Sequence, residues 1–261
     1  MDQNKPLILV VNDDGITAPG IKALISFVKN FGEIIVVAPD KAQSGMGHAI
    51  TMNTPLRINE FDSIEGVEAY SCSGTPVDCV KFGTKLIAKG RKVDLVVSGI
   101  NHGLNSSINV IYSGTMAAAI EGNVEGASSV GFSIDNHSLD ADFSACETIV
   151  KTIVQFLLEM PREKKVCLNV NIPKIPIEDI KGIKVCRQAK AYWDERLEER
   201  KDPFGADYYW LTGDFSDRDQ RVDTDLFHLK RGYATIVPTH FDLTNYAVLK
   251  DLKYLDNEGE F

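Results

Sequence analysis

The chain has 261 residues and a net charge of −9 at pH 7, from 28 lysines and arginines against 37 aspartates and glutamates. This length allows one large α/β domain or two small ones, with a core that needs no disulfides. An acidic chain without a basic run is a poor candidate for binding a nucleic-acid polymer, so any phosphate group must be held by local donors.

The first 39 residues predict a β-α-β unit. LILVV (7–11) and EIIVVAP (33–39) are apolar runs typical of strands buried on both faces of a sheet. Between them, residues 20–32 have the spacing of an amphipathic helix that begins after Pro19. Such a unit implies parallel pairing with a right-handed crossover.

The same alternation continues to residue 173. Further strands are predicted at 68–74, 94–101, 128–135 and 165–173, helices at 75–90, 115–126 and 142–159, and long polar loops at 40–58 and 101–114. Strands that alternate with helices predict a doubly wound, mainly parallel (Rossmann-like) α/β sheet.

The pattern changes after Pro173. Residues 174–230 are charged and lack clear periodicity, and 232–239 predicts one more strand. The segment is interpreted as a β-rich extension, an arm that grips a partner subunit, or a small cap. Because no linker separates it, we expect one domain over residues 1–261, with a core at 1–173 and an extension at 174–261.

One part of this extension combines aromatic and charged residues: AYWDERLEERKDPFGADYYWL (191–211). A packed arm with a solvated face is the simpler interpretation. Stacking of a purine on an aromatic side chain is the alternative, and the candidates are Tyr192, Trp193, Tyr208 and Trp210.

The cysteines and the N-terminus bear on the compartment. There are five cysteines, an odd number, no two of them in a CxxC pair, and most lie in apolar stretches, where a free thiol acts as a small buried hydrophobe. This usage is typical of a reducing compartment. The apolar run at 7–11 is too short for a signal-peptide core or a membrane span. We therefore expect a cytoplasmic protein that does not bind membranes.

The chemistry is expected at one edge of the sheet. Ligands of doubly wound sheets bind outside the carboxyl ends of the strands. Three segments bring polar residues to that edge, namely Asn12–Asp14, Gln43–Gly45 and Ser98–Asn105. The predicted helix start at Ser113–Thr115 should face the same edge.

Asp13 and Asp14 are adjacent carboxylates at the end of a buried strand. Their mutual repulsion and their desolvation are offset by a divalent cation, and Mg²⁺ and Mn²⁺ prefer oxygen ligands. The alternative is a solvated pair that caps the next helix. Ser44 and Asn101, which on their own are ordinary loop residues, are reasonable neutral ligands to complete such a site.

The residues Ser113, Gly114 and Thr115 begin a helix, where free N–H groups and the helix dipole attract anions. An ordinary N-cap is the alternative interpretation. The histidines have no metal-binding spacing, but His48 and His102 lie next to the segments above and are candidates for substrate contact.

Six blocks in this order resemble the SurE family of stationary-phase survival proteins. They are NDDG, APD…QSG, GTPVDCV, VVSGIN-x-G-x-N, IYSGT-x-x-AAIEG, and TDLFHLKRGY followed by DLTNYAVL. The resemblance covers almost the whole chain. It implies a metal-dependent phosphomonoesterase that hydrolyses nucleoside 5′- and 3′-monophosphates, with short polyphosphate as a further substrate.

The resemblance also implies roles for particular residues. One Mg²⁺ or Mn²⁺ ion per subunit would be bound by Asp13, Asp14, Ser44 and Asn101. Our mechanistic hypothesis is metal-assisted hydrolysis in which Asp14 accepts the proton of the attacking water; an aspartyl-phosphate intermediate is the less favoured route. The implied substrate- and phosphate-binding residues are Asn105, Ser113, Gly114 and Thr115.

Further implications concern assembly and departures from the family pattern. Family members form homodimers or homotetramers by exchanging C-terminal elements. They often have an acidic residue before the IYSGT block, where this chain has Asn109, to which we assign no role. The loop at residues 46–48 also differs from many members, which leaves substrate preference open.

Two other protein classes share part of this pattern. A Mg²⁺-binding receiver-like signalling domain also has an acidic pair after its first strand, and it is the main alternative. It needs an aspartate after the third strand and a lysine after the fifth, but this chain has Ser71–Ser73 and Ile134–Asn136 there. A dinucleotide-binding oxidoreductase would have GxGxxG after the first strand, which NDDGITAPG lacks.

Overall fold

A computed structural model describes residues 5–62, 66–138 and 140–256. The strands are Leu7–Val11 (β1), Glu33–Pro39 (β2), Ile58–Glu60 (β3), Glu68–Cys72 (β4), Leu95–His102 (β5), Ser128–Ile134 (β6), Cys167–Ile172 (β7), Ile183–Val185 (β8), Ala191–Lys201 (β9), Asp207–Asp217 (β10) and Ala234–Thr239 (β11). The α-helices are Pro19–Val28 (α1), Pro76–Phe82 (α2), Asn109–Tyr112 (α3), Gly114–Val124 (α4), Glu147–Glu159 (α5), Asp225–Leu229 (α6) and Tyr246–Leu249 (α7). A π-helical turn lies at Gly83–Ile87, and 3₁₀ turns lie at Ser144–Cys146, Ile177–Asp179 and Lys250–Leu255.

Within the described residues, one sheet has nine strands in the order β3-β4-β2-β1-β5-β6-β7-β11-β8. The six strands from β4 to β7 in this order are parallel to one another, whereas β3 and β11 pair antiparallel with β4 and β7. The chain winds from β1 through β2 to β4 and then returns to the other side of β1 for β5, β6 and β7. The predicted doubly wound, mainly parallel sheet is therefore confirmed, and its switch point lies between β1 and β5.

The two faces of the sheet form two apolar layers. Alternate residues of β1 point to opposite faces, as the two-residue period of a strand requires. Ile8 and Val10 pack in the layer that contains α1 and α5, and Leu9 packs in the layer that contains α2 and α4. Burial of each such side chain contributes about 1.5–3 kcal/mol to folding, so the central strands are firmly held.

The helix predicted at 75–90 starts as expected but ends early. Thr75 caps α2 in a reciprocal capping box with Asp78, and α2 gives way to the π-helical turn after Phe82. A short strand, β3, begins at the end of the first predicted polar loop and pairs antiparallel with β4. The second predicted loop contains the short helix α3, which its composition did not indicate.

The segment after Pro173 contributes to both sheets. Strands β8 and β11 extend the main sheet, and β9 pairs with β10 in a separate antiparallel hairpin. Ser107 connects this segment to the core, because its backbone amide donates to the buried carboxylate of Asp225 (2.9 Å) and its hydroxyl accepts from the amide of Ala191 (2.9 Å). The single-domain description and its division at residue 173 remain a prediction.

Two smaller observations concern the cysteines and the membrane. All five cysteines are free, and four of them are buried, as the sequence predicts for small hydrophobes. In the part of the chain that the structure describes, no helix combines the length and apolarity needed to cross a bilayer.

Candidate active site

The turn after β1 sets the geometry of the acidic pair. The side-chain amide nitrogen of Asn12 donates to the carbonyl of Gly15 (2.9 Å), and the backbone amide of Gly15 donates back to the Asn12 side-chain oxygen (3.2 Å). Gly15 has a φ of +100°, a conformation that side-chain-bearing residues rarely adopt. This turn holds Asp13 and Asp14 at the carboxyl edge of the sheet, next to the switch point.

Asp13 is the buried member of the pair, with 3% of its surface exposed. Its Oδ1 accepts a hydrogen bond from the Thr115 hydroxyl at 2.5 Å. Burial raises the pKa of Asp13 to about 6; the Thr115 hydrogen bond opposes this rise and the charge of Asp14 adds to it. A carboxylate in this position is therefore costly to ionise unless positive charge lies nearby.

Asp14 is half-buried and lies beside His102. Burial raises the pKa of Asp14, and the neighbouring histidine acts in the opposite direction. The His102 ring stacks on Phe143 with centroids 5.2 Å apart. Asp14 is thus the more accessible carboxylate of the two.

The start of α4 is attached directly to Asp13. Ser113 is the N-cap, and its hydroxyl accepts from the Met116 amide at 3.0 Å. The structure directs the Thr115 hydroxyl to Asp13, so this hydroxyl supports the acidic pair. Phosphate binding by Ser113, Gly114 and Thr115 remains a prediction. A Cβ atom on Gly114 would lie 2.7 Å from the Asp13 Cβ, so only glycine fits this contact.

The loop that carries Ser44 is anchored on both sides of that residue. The Gln43 amide donates to the Asp13 carbonyl (2.7 Å), and the Gly47 amide donates to the Tyr112 carbonyl (3.0 Å). Ser44 lies exposed between these two anchors, and the loop therefore spans from the acidic pair to the start of α4. The structure thus brings Ser44 to the predicted edge.

Asn101 and Asn105 follow the same edge from β5. The Asn101 amide nitrogen donates to the Gly103 carbonyl (2.8 Å), which leaves its amide oxygen for another partner. Asn105 is buried, and its amide nitrogen donates to the Ser133 hydroxyl (2.8 Å) while its backbone amide donates to the Asn171 side chain (2.8 Å). The substrate-binding role predicted for Asn105 would rest on its amide oxygen, because its side-chain donor is engaged.

The donor set fits a hard divalent cation. Asp13 and Asp14 offer carboxylates, Ser44 a hydroxyl and Asn101 an amide oxygen. Mg²⁺ and Mn²⁺ prefer these ligand types. Among the residues that the structure describes, no group of three or more acidic, histidine or cysteine side chains has an arrangement that could hold a metal ion. The raised pKa of buried Asp13 is the independent sign that a positive partner suits this position.

One feature of the site had no sequence prediction, a charged contact that holds the Ser44 loop against α4. Glu121 is 4% exposed; it accepts from Lys81 and pairs with the His48 ring, with 2.9 Å between His48 Nε2 and Glu121 Oε2. The hydrogen bond from His48 lowers the pKa of Glu121, and Lys81 adds to this effect against its burial. The signal available in the sequence was the lone glutamate in the otherwise apolar AAAIEG stretch.

The fold and the site together define a class of protein: a doubly wound α/β protein with an acidic, oxygen-lined site and a helix N-terminus at its switch point. The sequence profile of the family described as "Survival protein SurE" matches residues 8–195. The chain belongs to the SurE family.

Similar proteins span nearly the whole chain. A protein of Christiangramia forsetii named 5′-nucleotidase SurE is 54% identical over 97% of both chains. Another of that name, from Phocaeicola vulgatus, is 42% identical over 97% of this chain and 98% of its own. The crystal structure of the SurE protein from Aquifex aeolicus matches with a TM-score of 0.83 at 40% identity, covering 97% of this chain and 100% of the other.

Proposed function

We propose that this chain is a metal-dependent 5′-nucleotidase that hydrolyses nucleoside monophosphates to the nucleoside and inorganic phosphate. The observation that carries the proposal is the attachment of α4 to the acidic pair through Thr115 and Asp13. This hydrogen bond joins the carboxylates proposed to bind a cation to the helix start proposed to bind phosphate, an arrangement that suits a metal-dependent phosphomonoesterase. The relatives named 5′-nucleotidase SurE support the same activity.

The proposed metal ligands are Asp13, Asp14, Ser44 and Asn101, and the ion is one Mg²⁺ or Mn²⁺ per subunit. When bound, such an ion supplies positive charge that polarises a phosphoryl oxygen and acidifies water. The donor types and the desolvation of Asp13 support this assignment.

The residues of the chain bind the phosphate, orient Asp13 and accept a proton. The Ser113 hydroxyl and the first amides of α4 bind phosphate oxygens, and Thr115 holds Asp13 in place. Asp14, as the more accessible carboxylate, accepts a proton as water forms its bond to phosphorus. The ester P–O bond breaks with its electron pair on the nucleoside oxygen, which takes up a proton from solvent, and Asp14 returns its own proton to solvent after turnover. Positioning and charge stabilisation then account for most of the catalysis.

Three finer points belong to the proposal. Activity extends to 3′-monophosphates and short polyphosphate. The protein is a homodimer or homotetramer assembled through its C-terminal extension, which exposes large apolar side chains such as Phe204, Leu211 and Leu243. It works in the cytoplasm, as the free and mostly buried thiols suggest.

A substrate panel tests the proposed function. Phosphate release is measured from the nucleoside 5′- and 3′-monophosphates and from short polyphosphate, each with Mn²⁺, with Mg²⁺ and with EDTA. We expect release from 5′-monophosphates in the metal arms and none with EDTA. The absence of metal-dependent release from every nucleotide would overturn the proposal.

A second prediction concerns the contact between Glu121 and His48. Replacing Glu121 by glutamine removes the charge that holds the Ser44 loop against α4. The Mn²⁺ concentration for half-maximal phosphate release should rise, because the loop that carries Ser44 loses its charged contact with α4. The rise should not exceed the roughly 10-fold effect at the lower end for residues bonded directly to a metal ligand.

Glu125 provides the matched control. It lies one turn further along α4 and pairs with Lys81 and Lys85 but not with His48. Glu125→Gln should leave the Mn²⁺ dependence unchanged. Equal effects of the two substitutions would show that the Ser44 loop does not depend on Glu121.

A further inference from the structure

A cleft of about 350 Å³ opens beside the candidate site, and its walls include Gly45, Tyr112, Trp193 and Leu211. Gly45 directly follows the proposed metal ligand Ser44, and Tyr112 directly precedes the proposed phosphate ligand Ser113. The cleft is therefore lined by the chain neighbours of two proposed ligands, one from the metal site and one from the phosphate site. A group attached to a phosphate bound there has this space next to it.

Trp193 is held in a fixed position although 43% of it is exposed. Its indole N–H donates to the Asn109 side-chain oxygen at 2.8 Å, and its ring lies against Phe215 with centroids 5.3 Å apart. Two residues earlier, the Ala191 amide donates to the Ser107 hydroxyl. The indole is thus held by a hydrogen bond at its N–H and by ring packing against Phe215. An exposed aromatic ring held in this way is preorganised for another ring to stack on it.

We propose that Trp193, together with Tyr112, binds the nucleobase of the substrate by stacking, and that Asn109 is the positioning residue that orients the indole. This inference rests on the proposed nucleotidase function and assigns its base-binding site. Every base has a π-face, so stacking tolerates all of them. Purines bind better than pyrimidines here because their larger rings cover more of the indole.

The proposal gives Asn109 the role of orienting the Trp193 indole. Asn109 lies at the start of α3, three residues before Tyr112, and its side-chain amide nitrogen donates to the Leu104 carbonyl at 3.4 Å. The residue thus connects the loop after β5 to the first strand of the hairpin. One wall of the cleft contains Tyr112, which belongs to α3, and the other contains Trp193, which is hydrogen-bonded to Asn109 of the same helix. Both walls are therefore connected to α3, the helix that directly precedes Ser113.

A second, larger cavity of about 520 Å³ is lined by Ser113 itself, which the first cleft is not, and its walls also include His48, Phe241 and Leu243. Its wall at Phe241 and Leu243 follows β11 in the chain and lies outside the hairpin, and neither Asn109 nor Trp193 lines this cavity in the described part of the chain. Phe241 therefore serves as the competing candidate for the base. A substitution at this position distinguishes the two cavities.

The kinetic test compares 5′-AMP with ribose 5-phosphate, which has the same phosphate and sugar but no base. Trp193→Ala should raise the KM for 5′-AMP by about 10-fold, the effect of losing one stacked base, and leave kcat/KM for ribose 5-phosphate unchanged. Trp193→Phe should keep most of the affinity, and Asn109→Ala should give a smaller rise. Trp210→Ala, on the exposed part of the hairpin, and Phe241→Ala should have no effect.

A rise in KM for both substrates alike, no rise for either, or a rise with Phe241→Ala in place of Trp193→Ala would overturn the inference. A binding measurement decides independently of turnover. The chain has two tryptophans, so Trp210→Phe leaves Trp193 as the sole fluorophore. Adenosine, which carries no phosphate, should quench this fluorescence saturably, and the absence of quenching contradicts the base site. Failure of the wild type to release phosphate from 5′-AMP and ribose 5-phosphate would instead contradict the proposed function.

Discussion

Replacing Asp13 by asparagine is expected to reduce phosphate release from 5′-AMP by at least about 10³-fold, because a buried charge at the reaction centre is lost. The fold should persist. Asparagine has nearly the same shape as aspartate and can still accept from Thr115 Oγ1 through its side-chain oxygen. One of two adjacent and largely desolvated carboxylates is also removed, so the metal-free variant should melt at or above the temperature of the wild type.

Asp14→Asn should have a similar effect on turnover. If Asp14 both binds metal and accepts the proton, excess Mn²⁺ will not restore activity, whereas a role as ligand alone predicts partial recovery. The control is Asp40→Asn, an exposed aspartate directly after β2 at the same edge of the sheet, which should retain full activity. Near wild-type turnover of Asp13→Asn in saturating Mn²⁺ would contradict the assignment of the acidic pair.

The second large effect is expected at Gly114. An added Cβ would lie 2.7 Å from the Asp13 Cβ and 2.9 Å from its Oδ2, closer than real side-chain contacts. Asp13 is buried and accepts a hydrogen bond from Thr115, so a shift that relieves the clash would break this hydrogen bond. Gly114→Ala should therefore reduce phosphate release by about 10²-fold, the cost of a misplaced catalytic group, and reduce stability by about 1–3 kcal/mol.

Gly122 offers a control on the same helix. A Cβ there would meet the Val96 side chain at 2.6 Å, so Gly122→Ala introduces a comparable clash away from the site. It should lower the melting temperature to a similar degree but retain the kcat of the folded protein. If both variants lose activity in proportion to their stability, the contact between Gly114 and Asp13 has no specific role.

The order of strands and helices could be predicted from the sequence because most core strands are buried on both faces. The run at Leu7–Val11 is wholly buried and correspondingly apolar. The segment after Pro173 was expected to be β-rich, but the positions of the two hairpin strands were not predicted, for the opposite reason. Ala191 is buried, but the following ten residues of β9 are exposed, so no alternation of apolar and polar residues marks the strand. The pairing of β9 with β10 is a tertiary contact, and the local sequence pattern does not predict it.

The site was predictable at the level of the sheet edge and of the family motifs, but not at the level of contacts. Parallel strands bring Asp13 and Asn101 to one edge by topology alone. The hydrogen bond from Thr115 to Asp13 joins residues 102 positions apart, and no local pattern in the sequence indicates it. The bond between Trp193 and Asn109 spans 84 positions and likewise has no local signature.

Metal removal tests the central claim most directly. The wild-type protein is treated with EDTA, freed of chelator, and assayed for phosphate release from 5′-AMP before and after addition of Mn²⁺ or Mg²⁺. Release should be absent before addition and restored by either ion, with Asp13→Asn inactive throughout. Release that is unaffected by the chelator would contradict the metal site. No release under any condition would contradict the enzyme itself and return the receiver-like signalling domain to consideration.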